Sequence, residues 1–259
     1  IDQKIIVIAS PNVQENFQLQ LFDPSKLKER NGLWSLNTCA GNILLNEINP
    51  TFVEGIPRKK VISMVNHLIN KYYSFMGYEQ VALYSESDQK RQEHKDKRKS
   101  KAKRTLDTRI DDNIPEIINM EPLSNEDDPE TRKMKLKLIK RLRNMFDNRL
   151  IVIDEVHNML AHSKDDKKRS SKILSKIVRY CENTRFVFLS ATPVYNSHTE
   201  ITWLVNMMNL NDNRSTIKQS QLFDSNGDFV QEKVSSDNVI VQESGQDLLR
   251  RKLIGYVSY

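Results

Sequence analysis

The stretch Leu150-Ile151-Val152-Ile153-Asp154-Glu155-Val156-His157 constrains the fold of this chain more than any other. Four branched apolar residues run straight into two adjacent carboxylates, and a histidine follows two positions later. A short continuous apolar run of this kind predicts a strand buried on both faces of a parallel sheet. Ligands of such sheets bind beyond the carboxyl ends of the strands, which is where Asp154 and Glu155 emerge. One carboxylate can hold a magnesium ion on a nucleotide while its neighbour orients the attacking water. That pairing suits nucleoside triphosphate hydrolysis.

A second apolar run, Phe186-Val187-Phe188-Leu189, leads into Ser190-Ala191-Thr192. Between the two runs, Ser170 to Cys181 carries Ile173, Leu174, Ile177 and Val178 at helical spacing. Strand, helix and strand in that length predict one βαβ unit with a right-handed crossover. Both polar motifs then leave the same sheet edge, so the Ser190 and Thr192 hydroxyls come within reach of His157. Taken singly, these residues read as a surface acid, a satisfied histidine and a capping hydroxyl. In this order and spacing they read as one site.

With DEVH and SAT ending consecutive strands, the chain resembles the superfamily-two helicases and translocases, DEVH standing as motif II and SAT as motif III. Ser190-Ala191-Thr192-Pro193-Val194-Tyr195-Asn196-Ser197, followed by Glu200, Trp203, Leu204 and Asn206, looks like the motif III region of Snf-type remodelling ATPases. The wording of that stretch and of Gly255-Tyr256-Val257-Ser258-Tyr259 is most similar to the DEAD/Snf-like helicases of large nucleocytoplasmic DNA viruses. Relatives of those include the ATPase subunit of a poxvirus-type early transcription factor. The resemblance is close over residues 1–55 and 142–259 and weak between them.

The resemblance implies an α/β fold, a RecA-like parallel sheet sandwiched by helices, forming an incomplete first helicase lobe, to which the charge runs described below add a charged, mobile insertion. It implies ATP and Mg²⁺ as cofactors, with catalytic roles for Asp154, Glu155 and His157. Asp154 would hold the metal through water, Glu155 would position the attacking water, and His157 would sense the γ-phosphate side. Ser190, Ala191 and Thr192 would couple hydrolysis to strand movement. Ser10, Pro11 and Asn12 correspond to motif Ia, which tracks the phosphodiester backbone; a helix start at a sheet edge also offers free N–H groups to an anion. The partner implied is nucleic acid, DNA or RNA, together with viral transcription machinery. A non-catalytic nucleic-acid- or protein-binding module derived from a helicase lobe is the alternative.

The G-x-x-x-x-G-K-[ST] loop that cradles phosphates is not found in these 259 residues, and the seven glycines are scattered singly. The expectation is therefore an internal piece of a longer helicase, inactive alone. A net charge of +6 and a pI near 9.1 favour a polyanionic partner. No apolar run approaches the roughly 18 residues of a membrane span. Cys39 and Cys181 stand far apart, which excludes a disulfide framework and an all-cysteine metal site. A reducing intracellular compartment is expected, host cytoplasm or virion if the source is viral.

Along the chain, residues 1–84 are read as the first part of the lobe, opening with a strand over Lys4–Ala9 and a helix from Pro11. Arg58 to Phe75 is read as one helix. Trp34, Tyr72 and Tyr73 can stack on bases, though core packing is the commoner use of such residues. Residues 85–131 are read as a disordered charged insertion. Nine Lys or Arg lie between Lys90 and Arg104, and eight acids with no base between Asp111 and Thr131. Residues 132–210 form the second part of the lobe, entered by a basic amphipathic helix over Arg132–Phe146. Residues 211–259 are read as a linker and the start of a connection to a second lobe.

Overall fold

The computed structural model describes residues 4–38, 40–78, 80–81, 120–159, 165–192, 197–235 and 240–257. Its centre is a four-stranded, wholly parallel sheet. Strands β1 (Ile5–Ile8), β4 (Tyr73–Met76), β5 (Leu150–Ile153) and β6 (Arg185–Phe188) lie in the order β4-β1-β5-β6. Helix α1 (Pro11–Leu21) follows β1, and α3 (Arg58–Tyr72) feeds β4. Helix α4 (Pro129–Phe146) feeds β5, and α5 (Asp165–Tyr180) crosses from β5 to β6. The architecture is α/β and RecA-like, as the alternation of apolar runs and amphipathic stretches predicts.

Register fixes where the site lies. Ile8 pairs with Met76 on one side and Ile153 on the other, and Ile153 pairs with Phe188. All four strands therefore end level. The ladder runs one step further: Ala9 N–H donates to Met76 at 3.1 Å, Asp154 N–H to Ile8 at 2.9 Å and Leu189 N–H to Ile153 at 2.8 Å. Tyr78, Ser10, Glu155 and Ser190 accordingly leave one edge of the sheet together.

The two faces of the sheet differ. Ile6, Ile8, Met76, Ile151 and Ile153 point to one face and are buried beneath α4, α5 and α6 (Thr199–Asn211). Leu138, Ile139, Leu142 and Phe146 form the buried side of α4, at the spacing of a helix face. On the other face, α1 and α3 pack on β4, where Phe17 meets Tyr73 and Phe75 and Val7 is buried. Over β5 and β6 this face is bare: Leu150 is 36% exposed, Val187 41% and Leu189 43%. The continuous apolar runs of β5 and β6 predict burial on both faces; only β1 shows it, because no described element lies over the far side of β5 and β6.

The Arg58–Phe75 stretch divides differently from the sequence expectation. The helix stops at Tyr72, and Tyr73-Ser74-Phe75-Met76 is an outer strand of the sheet. Helical periodicity in α3 carries past its true end, while pairing with β1 claims the following residues. Tyr72 donates its hydroxyl to Glu47 at 2.6 Å, and Tyr73 stacks on Phe75.

Between α1 and α3 sit an antiparallel hairpin, β2 (Leu27–Arg30) and β3 (Leu33–Leu36), and α2 (Gly41–Ile48). They share a second core with Val61, Val65, Leu68 and Ile69 of α3. Gly41 admits no side chain: a Cβ there would lie 2.4 Å from both Leu36 and Thr38.

Most of the expected charged insertion (85–131), namely residues 85–119, lies outside the described residues. Its end is described. Met120 is buried in the first core, Lys135 pairs with Asp127 at 2.6 Å out of solvent, and Asp128 caps α4 by accepting from Glu130 and Thr131 N–H. Past α6, Ile217, Leu222, Phe223 and Leu248 pack with Val205 into a third small core. Helices α7 (Gln219–Leu222) and α8 (Gly245–Leu253) meet there, and the short antiparallel pair β7 (Lys233–Val234) and β8 (Ile240–Gln242) lies between them in the chain. Among the described residues, no helix is long and apolar enough to cross a membrane.

Candidate active site

After Ile153 the chain must leave the ladder at once, and it does so through Glu155, whose φ of 43° is left-handed. Non-glycine residues in this region are uncommon, and such strain clusters where function demands it. The turn is held by Val156 N–H donating to Leu189 at 3.2 Å and Asn158 N–H to Glu155 at 2.8 Å. A short 3₁₀ helix, Val156–Met159, follows, with Val156 and Met159 anchored in the core. His157 is thereby turned toward the end of β6.

Three side chains converge there. Glu155 Oε2 lies 3.3 Å from His157 Nδ1, and Ser190 Oγ lies 3.4 Å from Glu155 Oε2 and 3.3 Å from His157 Nδ1. A hydroxyl and an Nδ1–H imidazole can both donate to the carboxylate, which leaves its other oxygen to the open side. Ser190 Oγ also accepts from Thr192 N–H at 3.2 Å, fixing the turn of the SAT segment. Of the sequence-predicted set, His157, Glu155 and Ser190 are thus joined directly. Thr192 joins through its backbone only, and its side chain points to solvent. Ala191 is exposed, and Pro193 to Asn196 lie outside the described residues.

Asp154 stands beside this group. Burial first, and the Glu155 charge second, push its carboxyl above the ordinary carboxylate range. Among the described residues no cluster of three or more His, Cys, Asp or Glu could cage a metal. A site with one or two carboxylates fits Mg²⁺, which keeps most of its waters and takes further ligands from substrate phosphates.

Ser10 ends the β1 segment at the same edge, with Pro11 opening α1. Its side chain makes no capping bond, and Pro11 and Asn12 are exposed. Gln14 instead ties the turn by donating to the Ala9 carbonyl at 2.7 Å.

Tyr78 completes the edge and is absent from the sequence-predicted set. Its hydroxyl donates to the Asp154 carbonyl at 2.9 Å, with Asn158 and the Ser10 backbone also against it. Its own carbonyl accepts from Ser170 of α5 at 2.7 Å. Burial raises its phenol pKa. Tyr78 thus bridges the start of α1 to the DEVH turn. The signal for it is a tyrosine just past a strand end, visible only once Tyr73–Met76 is recognised as a strand. Cys181 lies at the opposite edge, its thiol pushed up to about 12 by burial, and Cys39 lies outside the described residues.

Comparison with known proteins adds an independent observation. Over 253 residues, 93% of its length, the chain is 24% identical to a protein of Acanthamoeba polyphaga mimivirus named "Putative ATP-dependent RNA helicase", of which it covers 18%. The similarity supports a helicase family. Two further mimivirus proteins of the same name are each 28% identical, over 125 and 141 residues. These helicase-type alignments span 47% and 51% of the chain but only 20% and 16% of those relatives. The chain thus corresponds to a fifth or less of each curated helicase relative. No known family profile matches it, and no solved structure does.

Proposed function

We propose that this chain is part of the first RecA-like lobe of a DExH/Snf-like ATPase that couples ATP hydrolysis to movement on DNA or RNA. The observation that carries the reading is the junction of Glu155, His157 and Ser190 within 3.3–3.4 Å across two consecutive strand ends. A carboxylate held by a histidine and a hydroxyl can orient a water. Asp154, a carboxylate at the strand end whose pKa burial and the Glu155 charge raise, is the residue that would hold Mg²⁺. Bound Mg²⁺ would offset the charge of the phosphates, while Glu155 positions the attacking water by accepting its proton or hydrogen bond.

When the group beyond Glu155 changes, Ser190 can exchange its bond between Glu155 and His157. That exchange passes the state of the site into Ser190-Ala191-Thr192. Ser10, Pro11 and Asn12 lie at the same edge and would meet the phosphodiester backbone. Hydrolysis requires a phosphate-cradling loop contributed by the rest of a longer protein, so this chain alone is expected to be inactive. A role in viral transcription is the narrower form of the proposal, resting only on the resemblance to viral helicases whose relatives include a transcription-factor ATPase subunit.

In the full-length protein, Glu155→Gln should lower nucleic-acid-stimulated ATP hydrolysis by about a hundredfold or more while nucleotide binding survives. Wild-type turnover in that variant refutes the role given to Glu155. Ser190→Ala combined with Thr192→Ala should uncouple strand movement while most hydrolysis survives, because His157 still holds Glu155. Full displacement activity in the double variant removes the coupling role.

A further inference from the structure

A cleft of about 460 Å³ opens beside the β2–β3 hairpin, lined by Trp34, Leu45, Asn46, Phe52 and Val61, with Arg30 also facing it. Its most telling residue is Phe52. The ring belongs to none of the three cores and is 59% exposed, and its φ of 53° is left-handed. A bulky side chain in that region is an outlier and persists only where neighbours over-determine it. Asn49 does so: its Oδ1 accepts from Val53 N–H at 2.9 Å and its Nδ2 donates to the Val53 carbonyl at 3.0 Å. The Asn49 carbonyl also accepts from Phe52 N–H at 3.2 Å. The fold thus spends backbone strain and a dedicated side chain to hold an aromatic ring in water at a cleft.

The rest of the lining is complementary. Trp34 is fixed by its Nε1–H, which donates to the Ile56 carbonyl at 2.7 Å. Among the described residues, the exposed Asn46 amide and Arg30 guanidinium make no hydrogen bond or ion pair. Lys59 and Lys60 are exposed on the first turn of α3, next to Val61.

We propose that this cleft takes a base of a single-stranded nucleic acid, a contact distinct from the edge formed by Ser10, Glu155 and Ser190. The proposal rests on the nucleic-acid reading above and names where a base is held. Phe52 and Trp34 offer ring surfaces for stacking, which tolerates any base. The Asn46 amide presents a donor and an acceptor to the base edge, and Arg30 meets the phosphate. An apolar peptide segment would use the rings and leave both polar groups without partners.

The chain has two tryptophans, so Trp203→Phe leaves Trp34 as the sole indole reporter. Titration of that variant with a single-stranded oligouridylate should quench Trp34 emission saturably. A duplex, whose bases are already stacked, should not. Phe52→Ala should weaken strand affinity by about tenfold. Asn46→Ala, a surface change that removes the donor and acceptor offered to the base edge, should weaken it as well, with circular dichroism unchanged in both. Free uridine monophosphate should quench only at far higher concentration than the strand; equal potency would make the cleft a nucleotide site and overturn the proposal.

The proposal also fails if the strand does not bind. It fails too if strand binding seen by anisotropy leaves Trp34 emission unchanged, or if both variants bind like wild type. Its failure is separable from that of the ATPase reading. Hydrolysis in the full-length protein that still depends on Glu155, with no Trp34 response, overturns the cleft alone. A Trp34 response with Glu155-independent hydrolysis overturns the ATPase assignment alone.

Discussion

On one face of the central sheet, Ile6, Ile8, Ile151 and Ile153 lie closed beneath α4, α5 and α6. On the other, α1 and α3 reach only β4 and β1, and Leu150, Val187 and Leu189 remain in water. The residue types are alike on both sides, so the difference arises from which helices lie above them. The candidate active site lies at the strand ends but is anchored through the covered face. Val156 and Met159, which set His157, are in the first core, and Ser170, which holds the Tyr78 carbonyl, opens the buried stripe of α5. The junction of Glu155, His157 and Ser190 therefore depends on the covered face and should be insensitive to the bare surface over β5 and β6.

The sharpest way to break this comparison is a pair of truncations. Leu142→Ala, at a position with no exposure, should cost about 2–5 kcal/mol in a denaturant titration. A comparable loss from Val187→Ala would show that the second face is not bare. Tyr78→Phe removes the hydroxyl bond to Asp154 and should cost about 1 kcal/mol. No loss would mean that the bridge between the two turns is not made in solution.

Asp154→Asn should act in the opposite direction. The folded protein raises the Asp154 pKa, so ionisation opposes folding: its contribution is favourable below the unfolded carboxylate pKa and is lost as pH rises through the folded value. The asparagine variant should accordingly melt higher than wild type at pH 7, and that gain should vanish on acidification into the carboxylate range. A lower melting temperature at pH 7 would reverse the assignment of strain at this site. The smallest effect belongs to Val187→Ser on the bare face, expected within about 0.5 kcal/mol of wild type.

Sequence patterns carried the covered half of this molecule well. The β5–α5–β6 unit follows from two apolar runs and a period of 3.6, and it brings Glu155, His157 and Ser190 together. Local patterns could not show that Leu150 and Val187 would stay exposed, since cover is a tertiary property. They also merged β4 into α3, because Tyr72 continues the helical stripe and only pairing with Ile5–Ile8 ends it. Tyr78 depended on that strand and was hidden with it. The third core was equally non-local: Val205 meets Ile217 and Leu248, whose surroundings in sequence are polar. The left-handed Glu155 has no sequence mark, since glutamate carries no preference for that backbone.

Among the described residues strand β6 is an outer strand, and its far face carries Val187 and Leu189 in solvent. Such a strand presents a row of backbone donors and acceptors next to an oily patch, the combination that recruits another chain. The behaviour of this chain in isolation should then depend on how crowded the tube is. Dilution would give monodisperse particles and concentration would give sheet-to-sheet clusters, with unfolding midpoints drifting between the two. A charge placed at Val187 would suppress that drift without touching the site, turning a handling nuisance into a readout of the unfinished edge.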